Sequence, residues 1–255
     1  MEAICGLVWV MVTVKVHDKV FEDITGIIFD KDGTLSDSQS YLKQLAQKRA
    51  RLIDAQVPGV GEPLLMSFGM LDGDLDPAGL MAVGSNHENA IAAAAYIAET
   101  GRSWFEALAI AKKAFEEAET VLGDRSGTSP LFTGSLEVLK FCHDAGLKLG
   151  ILSMDNTANV KKFVQIYQLQ DFIQLEMGAE FGLKPDPDLF LKACRDLGTE
   201  PSQTLMVGDA PGDIQMANNA GAAGSVGICW GDAAAAHLDA ADVAIASLDA
   251  LEIIA

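Results

Sequence analysis

Three stretches of the chain repeat one pattern: a short apolar run that stops at a polar turn. Residues 24–29 (ITGIIF) end in Asp30-Lys31-Asp32-Gly33-Thr34. Residues 147–152 (LKLGIL) end in Ser153-Met154-Asp155-Asn156. Residues 204–207 (TLMV) end in Gly208-Asp209. A continuous apolar run closed by a turn is the signature of a strand covered on both faces, the condition of strands in a parallel sheet. Weaker runs over 225–229 and 243–245 fit the same role. Helical stretches over 135–144, 157–167, 187–196 and 213–220 separate them, with Gly146 placed for a helix C-cap. Strand and helix alternating in this way predict an α/β fold, a Rossmann-like open parallel sheet with helices on both faces.

The region between the first run and the rest is different. Residues 40–55, 88–99 and 103–121 are rich in Ala, Leu, Lys and Glu and read as helices, with few strand signals among them. Pro58, Gly59, Gly61 and Pro63 interrupt this stretch, as do Asp72, Gly73, Asp74 and Pro77. The expected organisation is an α/β core built from 1–36 and 130–255, with an all-helical insertion over 37–129. At 255 residues the chain has room for one large domain or two smaller ones, at about 150 residues each. Its core needs no disulfide or metal staple.

The Val-rich segment 4–14 is expected to be a strand. It is too short to span a bilayer, and it has neither the preceding basic residue nor the cleavage site of a secretory signal. Met11 is a candidate alternative start. Cys5, Cys142, Cys194 and Cys229 lie far apart with no CxxC spacing, which argues against zinc and suits a reducing, cytoplasmic compartment.

The net charge is -18. That balance argues against nucleic acid and against an anionic membrane surface, both of which call for a surplus of Lys and Arg. No Lys or Arg follows Arg195, while nine acids do. Most of them read as a solvated face, but Asp209 and Asp213 ask for another reason.

In open parallel sheets ligands bind outside the carboxyl ends of the strands. The expected strand ends deliver Asp30 and Asp32, then Ser153, then Asp209, with Asp213 one helical turn further on. Carboxylates converging in one crevice repel each other unless a cation joins them, and a few hard oxygen ligands point to Mg²⁺. Lys184, in Gly182-Leu183-Lys184-Pro185-Asp186-Pro187, sits in a loop stiffened by two prolines, where its ammonium can meet a phosphate or a carboxylate. Ser153 and the backbone N–H groups after its strand can cradle phosphate oxygens.

These segments, taken in order, resemble the four motifs of the haloacid dehalogenase superfamily: Asp30-Lys31-Asp32-Gly33-Thr34-Leu35; Ser153; Lys184-Pro185-Asp186-Pro187; and Gly208-Asp209 with Asp213-Ile214, Ala217 and Ala220-Gly221. The likeness runs from about residue 24 to the C-terminus. The insertion resembles the helical cap of phosphoglycolate-phosphatase-like members. The resemblance implies roles. Asp30 would be the nucleophile that forms an aspartyl-phosphate. Asp32 would be the general acid and then the base, with its main-chain carbonyl on Mg²⁺. Thr34 would orient Asp32, Ser153 and Lys184 would hold the phosphoryl group, and Asp209 and Asp213 would complete the metal site. A carboxylate at Asp32 favours a phosphatase or a phosphomutase over a dehalogenase. The expected activity is therefore Mg²⁺-dependent hydrolysis of a small phosphorylated metabolite, with phosphoglycolate as a first compound to try. The rivals are a sugar-phosphate phosphomutase, a phospho-accepting signalling module and an idle binding protein.

Other features carry blander expectations. Asp30-x-Asp32 has Thr34 and Leu35 where an EF-hand loop needs an acid or Asn and then Gly, and Asp72-Gly73-Asp74-Leu75-Asp76 has Pro77 at the Gly position and Val83 at the closing Glu, so neither is read as a calcium site. The second reads as a solvated turn. Asn86 is expected to cap a helix, although Asn86-His87-Glu88 could instead face a substrate. Trp104 and Phe105 are expected in the core. His17, His143 and His237 show no ligand spacing.

Overall fold

The computed structural model describes residues 12–123, 129–231 and 236–254. Cys5, Asp232 and most of the strand expected over 4–14 lie outside the described residues; the part inside, β1 (Val12–Val16), is a strand. Its partners are β2 (Lys19–Ile24) and β11 (Leu251–Ile254), in a three-stranded antiparallel sheet that the sequence reading did not anticipate beyond β1.

The main sheet has six parallel strands: β3 (Gly26–Phe29), β6 (Lys148–Leu152), β7 (Ile173–Met177), β8 (Thr204–Gly208), β9 (Gly224–Ile228) and β10 (Val243–Ile245). Their spatial order is β10-β9-β8-β3-β6-β7. The Rossmann-like expectation therefore holds. β3 is central, and all four of its residues are buried. Side chains alternate across the sheet. Ile27 and Phe29 enter one apolar cluster, together with Leu149, Ile151, Leu205 and Val207. Ile28, Leu152 and Met206 enter the cluster on the other face. Each such side chain taken fully from water contributes roughly 1.5–3 kcal/mol.

Helices α6 (Ser135–Asp144) and α7 (Thr157–Ile166) cover the first face, beside the small sheet. Helices α8 (Pro187–Leu197) and α9 (Pro211–Ala220) cover the second. β7 is an edge strand, buried at alternate residues only, so it lacks the continuous apolar run. At its irregular register with β6, the Leu149 N–H donates to Gln174 Oε1 at 2.7 Å instead of to main chain.

Between β3 and α6 lie α1 (Gln39–Asp54), α2 (Gly61–Ser67), α3 (Leu80–Val83), α4 (Asn86–Glu99) and α5 (Trp104–Leu122). They share an apolar cluster of their own, separate from the two on the sheet. Much of it is alanine: Ala90, Ala93 and Ala94 of α4 and Ala107, Ala111, Ala114 and Ala118 of α5 are buried. A two-residue hairpin, β4 (Met70–Leu71) with β5 (Asp74–Leu75), is the non-helical piece. Its tip, Asp72-Gly73, has positive φ at both residues, the geometry of a tight hairpin turn. The chain enters and leaves this region side by side, with the Asp37 N–H donating to the Pro130 carbonyl at 2.8 Å.

Two expectations are corrected. The N-cap of α4 is Ser85, not Asn86: Ser85 Oγ accepts from the Glu88 N–H while the Glu88 carboxylate accepts from the Ser85 N–H. A Ser three residues ahead of a Glu forms this reciprocal box, and Asn86 is thereby freed. Trp104 and Phe105 are not core residues; they are 42% and 84% exposed, because α5 begins there and buries its alanine stripe instead.

Candidate active site

The strand ends bring the predicted residues to one edge of the sheet. Asp30 follows β3, Ser153 follows β6 and Asp209 follows β8, which puts them on three adjacent strands. The chain turns away from β3 toward β6 and β7 on one side, then returns to β8 on the other. The crevice between these directions is where an open parallel sheet binds its ligand. A cavity of about 390 Å³ opens there, with Asp30, Asp32, Ser153, Lys184, Asp209 and Asp213 in its wall. Its far wall comes from α1, α3 and α4.

Lys184 binds the set together. Its Nζ lies 2.5 Å from Asp30 Oδ1 and 2.5 Å from Asp213 Oδ1. Burial alone would lower its pKa, but the Asp213 and Asp30 carboxylates outweigh that and hold the ammonium charged. Asp30 feels the reverse balance. Its carboxyl is raised to about 7, because desolvation outweighs the downward pull of Lys184 and Asp213 adds to the rise. Asp209 is also raised well above the carboxylate range, first by desolvation and then by Asp30 and Asp213.

Asp213, in the first turn of α9, has two partners. Its Oδ1 faces Lys184, and its Oδ2 accepts from the Ala210 N–H at 3.2 Å. Gly208 makes this possible: a Cβ there would sit 2.4 Å from the Asp213 carboxyl carbon. Ser153 is 2% exposed; its N–H donates to the Met177 carbonyl at 3.0 Å and its hydroxyl accepts from the Asp155 N–H at 3.1 Å.

Thr34 departs from expectation. Its hydroxyl donates to Asp209 Oδ1 at 3.4 Å and not to Asp32. The reason is the turn at Gly33, with φ near 85°, which carries Thr34 toward the end of β8. The indole N–H of Trp230 holds the Thr34 carbonyl at 3.2 Å, and that ring stacks on Phe132.

Among the described residues no three His, Cys, Asp or Glu side chains gather as a metal-holding group. The resemblance implies Asp30, Asp209 and Asp213 with the Asp32 main-chain carbonyl for Mg²⁺; here the Asp213 carboxylate is engaged by Lys184 and the Ala210 N–H, which leaves two carboxylates, Asp30 and Asp209, and that carbonyl as donors. Mg²⁺ fills its remaining positions with water and substrate oxygens. The residues present fit such an ion. All of the donors are hard oxygens. Asp209 also lies so close over Gly33 that a Cβ there would come within 2.0 Å of its Oδ2, so this glycine leaves the space the carboxylate occupies.

Three charged groups near the cavity carry no expectation from sequence. Lys31 contacts Asp32 Oδ2 closely and lies 3.5 Å from Asp155. Asp155 begins the turn into α7. Arg49 of α1 is 1% exposed, pairs with Glu119 at 3.0 Å, contacts Asn86 Oδ1 and lies over the Phe115 ring.

The chain resembles known proteins. A phosphoglycolate phosphatase of Shigella boydii is 29% identical over 225 residues, covering 83% of each chain. A Clostridium perfringens protein provisionally named pyrophosphatase PpaX is 39% identical over 89 residues; that match spans 33% of this chain and 41% of the other. Among solved structures, a predicted phosphoglycolate phosphatase from Haemophilus somnus aligns with a TM-score of 0.65 at 20% identity, over 88% of this chain and 95% of that one, and so shares the fold. The model of the haloacid dehalogenase-like hydrolases matches residues 24–221, which take in Asp30, Asp32, Ser153, Lys184, Asp209 and Asp213. The chain belongs to the haloacid dehalogenase-like hydrolase family.

Proposed function

We propose that the chain is a Mg²⁺-dependent phosphatase that hydrolyses a small phosphorylated metabolite through an aspartyl-phosphate on Asp30. The observation that carries this reading is the Lys184 ammonium, 2.5 Å from both Asp30 and Asp213 on a cavity that also holds Asp32. Lys184 opposes the burial that disfavours the charged form of Asp30 and aims it, and it offers positive charge to the phosphoryl oxygens. Asp30 attacks phosphorus, and the bond from phosphorus to the ester oxygen breaks. Asp32 gives the departing oxygen its proton. Asp32 then takes a proton from water as that water attacks phosphorus, and the bond to Asp30 breaks to release phosphate. Ser153 donates its hydroxyl to a phosphoryl oxygen throughout. Asp30, the Asp32 carbonyl and Asp209 would hold Mg²⁺, which supplies charge neutralisation for the transferring group. Asp213 supports the set by fixing Lys184.

Residues 37–129 serve as a cap on the core of 1–36 and 130–255. The adjacent crossings at Asp37 and Pro130 would serve as its hinge, and closure would exclude water. The acidic net charge supports a small-molecule partner over nucleic acid, and the protein works in the cytoplasm. Among the described residues no helix is long and apolar enough to cross a membrane.

The test is phosphate release from phosphoglycolate and a panel of sugar and polyol phosphates. Turnover that requires Mg²⁺ and stops on chelation is expected. Turnover unaffected by chelation overturns the metal role, an isomeric product in place of free phosphate indicates a mutase, and a stable phosphoprotein without turnover indicates a signalling module.

A further inference from the structure

The turn after β3 carries a lysine that the scheme above does not use. Lys31 is 2% exposed. A buried ammonium persists only where it is paired, and both acids it meets belong to the site. Its Nζ contacts Asp32 Oδ2 and lies 3.5 Å from Asp155 Oδ2, and it sits 5.7 Å from the centre of the Phe163 ring. Neighbouring side chains on an extended backbone point to opposite sides. Here the tight turn at Gly33 folds Lys31 and Asp32 together. The Lys31 carbonyl is held by the N–H groups of Leu35 and Ser36 at 3.0 Å each and by the Ser36 hydroxyl at 3.3 Å.

The other end of the bridge is equally fixed. The Asp155 carboxylate accepts from the Asn156 N–H at 2.9 Å and from Asn159 Nδ2 at 2.8 Å. Its carbonyl accepts from the Ala179 N–H at 2.9 Å, and its own N–H donates to Ser153 Oγ at 3.1 Å. One chain of contacts therefore runs from Asp32 through Lys31 and Asp155 to Ser153. Asp32 Oδ1, the oxygen that Lys31 does not touch, is buried and has no hydrogen-bond partner among the described residues, so the contact with Lys31 is what sets the direction of the carboxylate.

We propose that Lys31 is a positioning residue for Asp32: it pins one carboxylate oxygen, so fixes the direction in which the carboxyl group faces, and ties that placement to the loop that carries Ser153. The proposal rests on the acid role assigned to Asp32. A purely structural ion pair would make a different prediction. Proton donation matters in proportion to the basicity of the leaving oxygen, so its loss is felt by a poor leaving group and hardly by a good one.

The experiment measures kcat/KM with Mg²⁺ for phenyl phosphate and 4-nitrophenyl phosphate on the wild type, Lys31→Met, Asp155→Asn and Asp32→Asn. For Lys31→Met the expected loss is about a hundredfold on phenyl phosphate and about tenfold smaller on the nitrophenyl ester, with KM changed less than about threefold. Asp155→Asn should show the same imbalance, weaker. Equal losses on the two esters, or no loss, in a variant that melts cooperatively by circular dichroism overturns the proposal. If Lys31→Met does not fold, the ratio for Asp155→Asn decides. Asp32→Asn should show the steepest imbalance; if it shows none, the acid role of Asp32 fails, and the positioning role with it. A wild type that hydrolyses neither ester overturns the phosphatase reading itself and removes the basis of this proposal.

Discussion

The two walls of the cavity are built on opposite principles. The sheet wall is a set of charges wired to one another: Lys184 between Asp30 and Asp213, Lys31 between Asp32 and Asp155. The helical wall is largely apolar, with Leu42, Leu45 and Met81 facing the same space. Its one buried cation, Arg49, is turned to Glu119, Asn86 and the Phe115 ring. On the sheet wall small displacements change charge interactions in a poorly solvated crevice, where they are strong. On the helical wall shape decides more than charge. On the proposed function, the chemistry belongs to the first wall and the choice of substrate to the second.

The largest expected effect comes from the sheet wall. Asp30→Asn should lower kcat on a generic aryl phosphate by about 10⁴-fold or more while the fold is kept, as removal of a covalent nucleophile does. Comparable turnover by that variant would take the nucleophile role from Asp30. Lys184→Met comes next. It leaves two buried carboxylates facing each other, so activity should fall about a thousandfold and stability by about 3 kcal/mol. Chemical denaturation read beside steady-state rates would separate these, and a fully active Lys184→Met would break the account of the sheet wall.

Arg49→Met sharpens the contrast. It should lower the melting temperature through a loss of about 2 kcal/mol, below the fully buried figure because Glu119 reaches water. Hydrolysis of a small aryl phosphate should stay within about threefold, since no reacting group is touched. A large fall in kcat would mean that the helical wall takes part in the chemistry. The smallest effect is expected at the thiols. Burial raises Cys142 to about 12 and Cys194 to about 11. Neither should react with a disulfide reagent at pH 8 in the native protein, and both should react on unfolding. Rapid native labelling would show that the faces of the sheet open more readily than their packing implies.

Legibility in the sequence follows the same division. β3, β6 and β8 are covered on both faces, so their apolar runs are continuous and their ends are visible as turns. The residues at those ends could be placed on one edge before any coordinates. α1, α4 and α5 were legible from composition, to within a few residues at their ends. β7 was not, because an edge strand alternates. β2 and β11 were missed for a related reason: each is exposed at half or more of its residues, and β11 pairs with β1 from the far end of the chain. The partner of Thr34 was misjudged because a positive φ at Gly33 redirects the chain.

Sequence alone determined the parallel sheet, the order of its motifs and the identity of the acids, serine and lysine at the strand ends, since local pattern and spacing dictate all three. Only the tertiary structure decided who touches whom. Lys184 reaches Asp30 across 154 positions and Asp213 across a helix start, and Lys31 meets Asp155 from another strand. Pairings of this kind depend on strand order and on the turn each backbone takes as it leaves the sheet. The net charge of -18 shows the limit. It argues against polyanionic partners, but only the fold distinguished the acids held by buried lysines from those facing water.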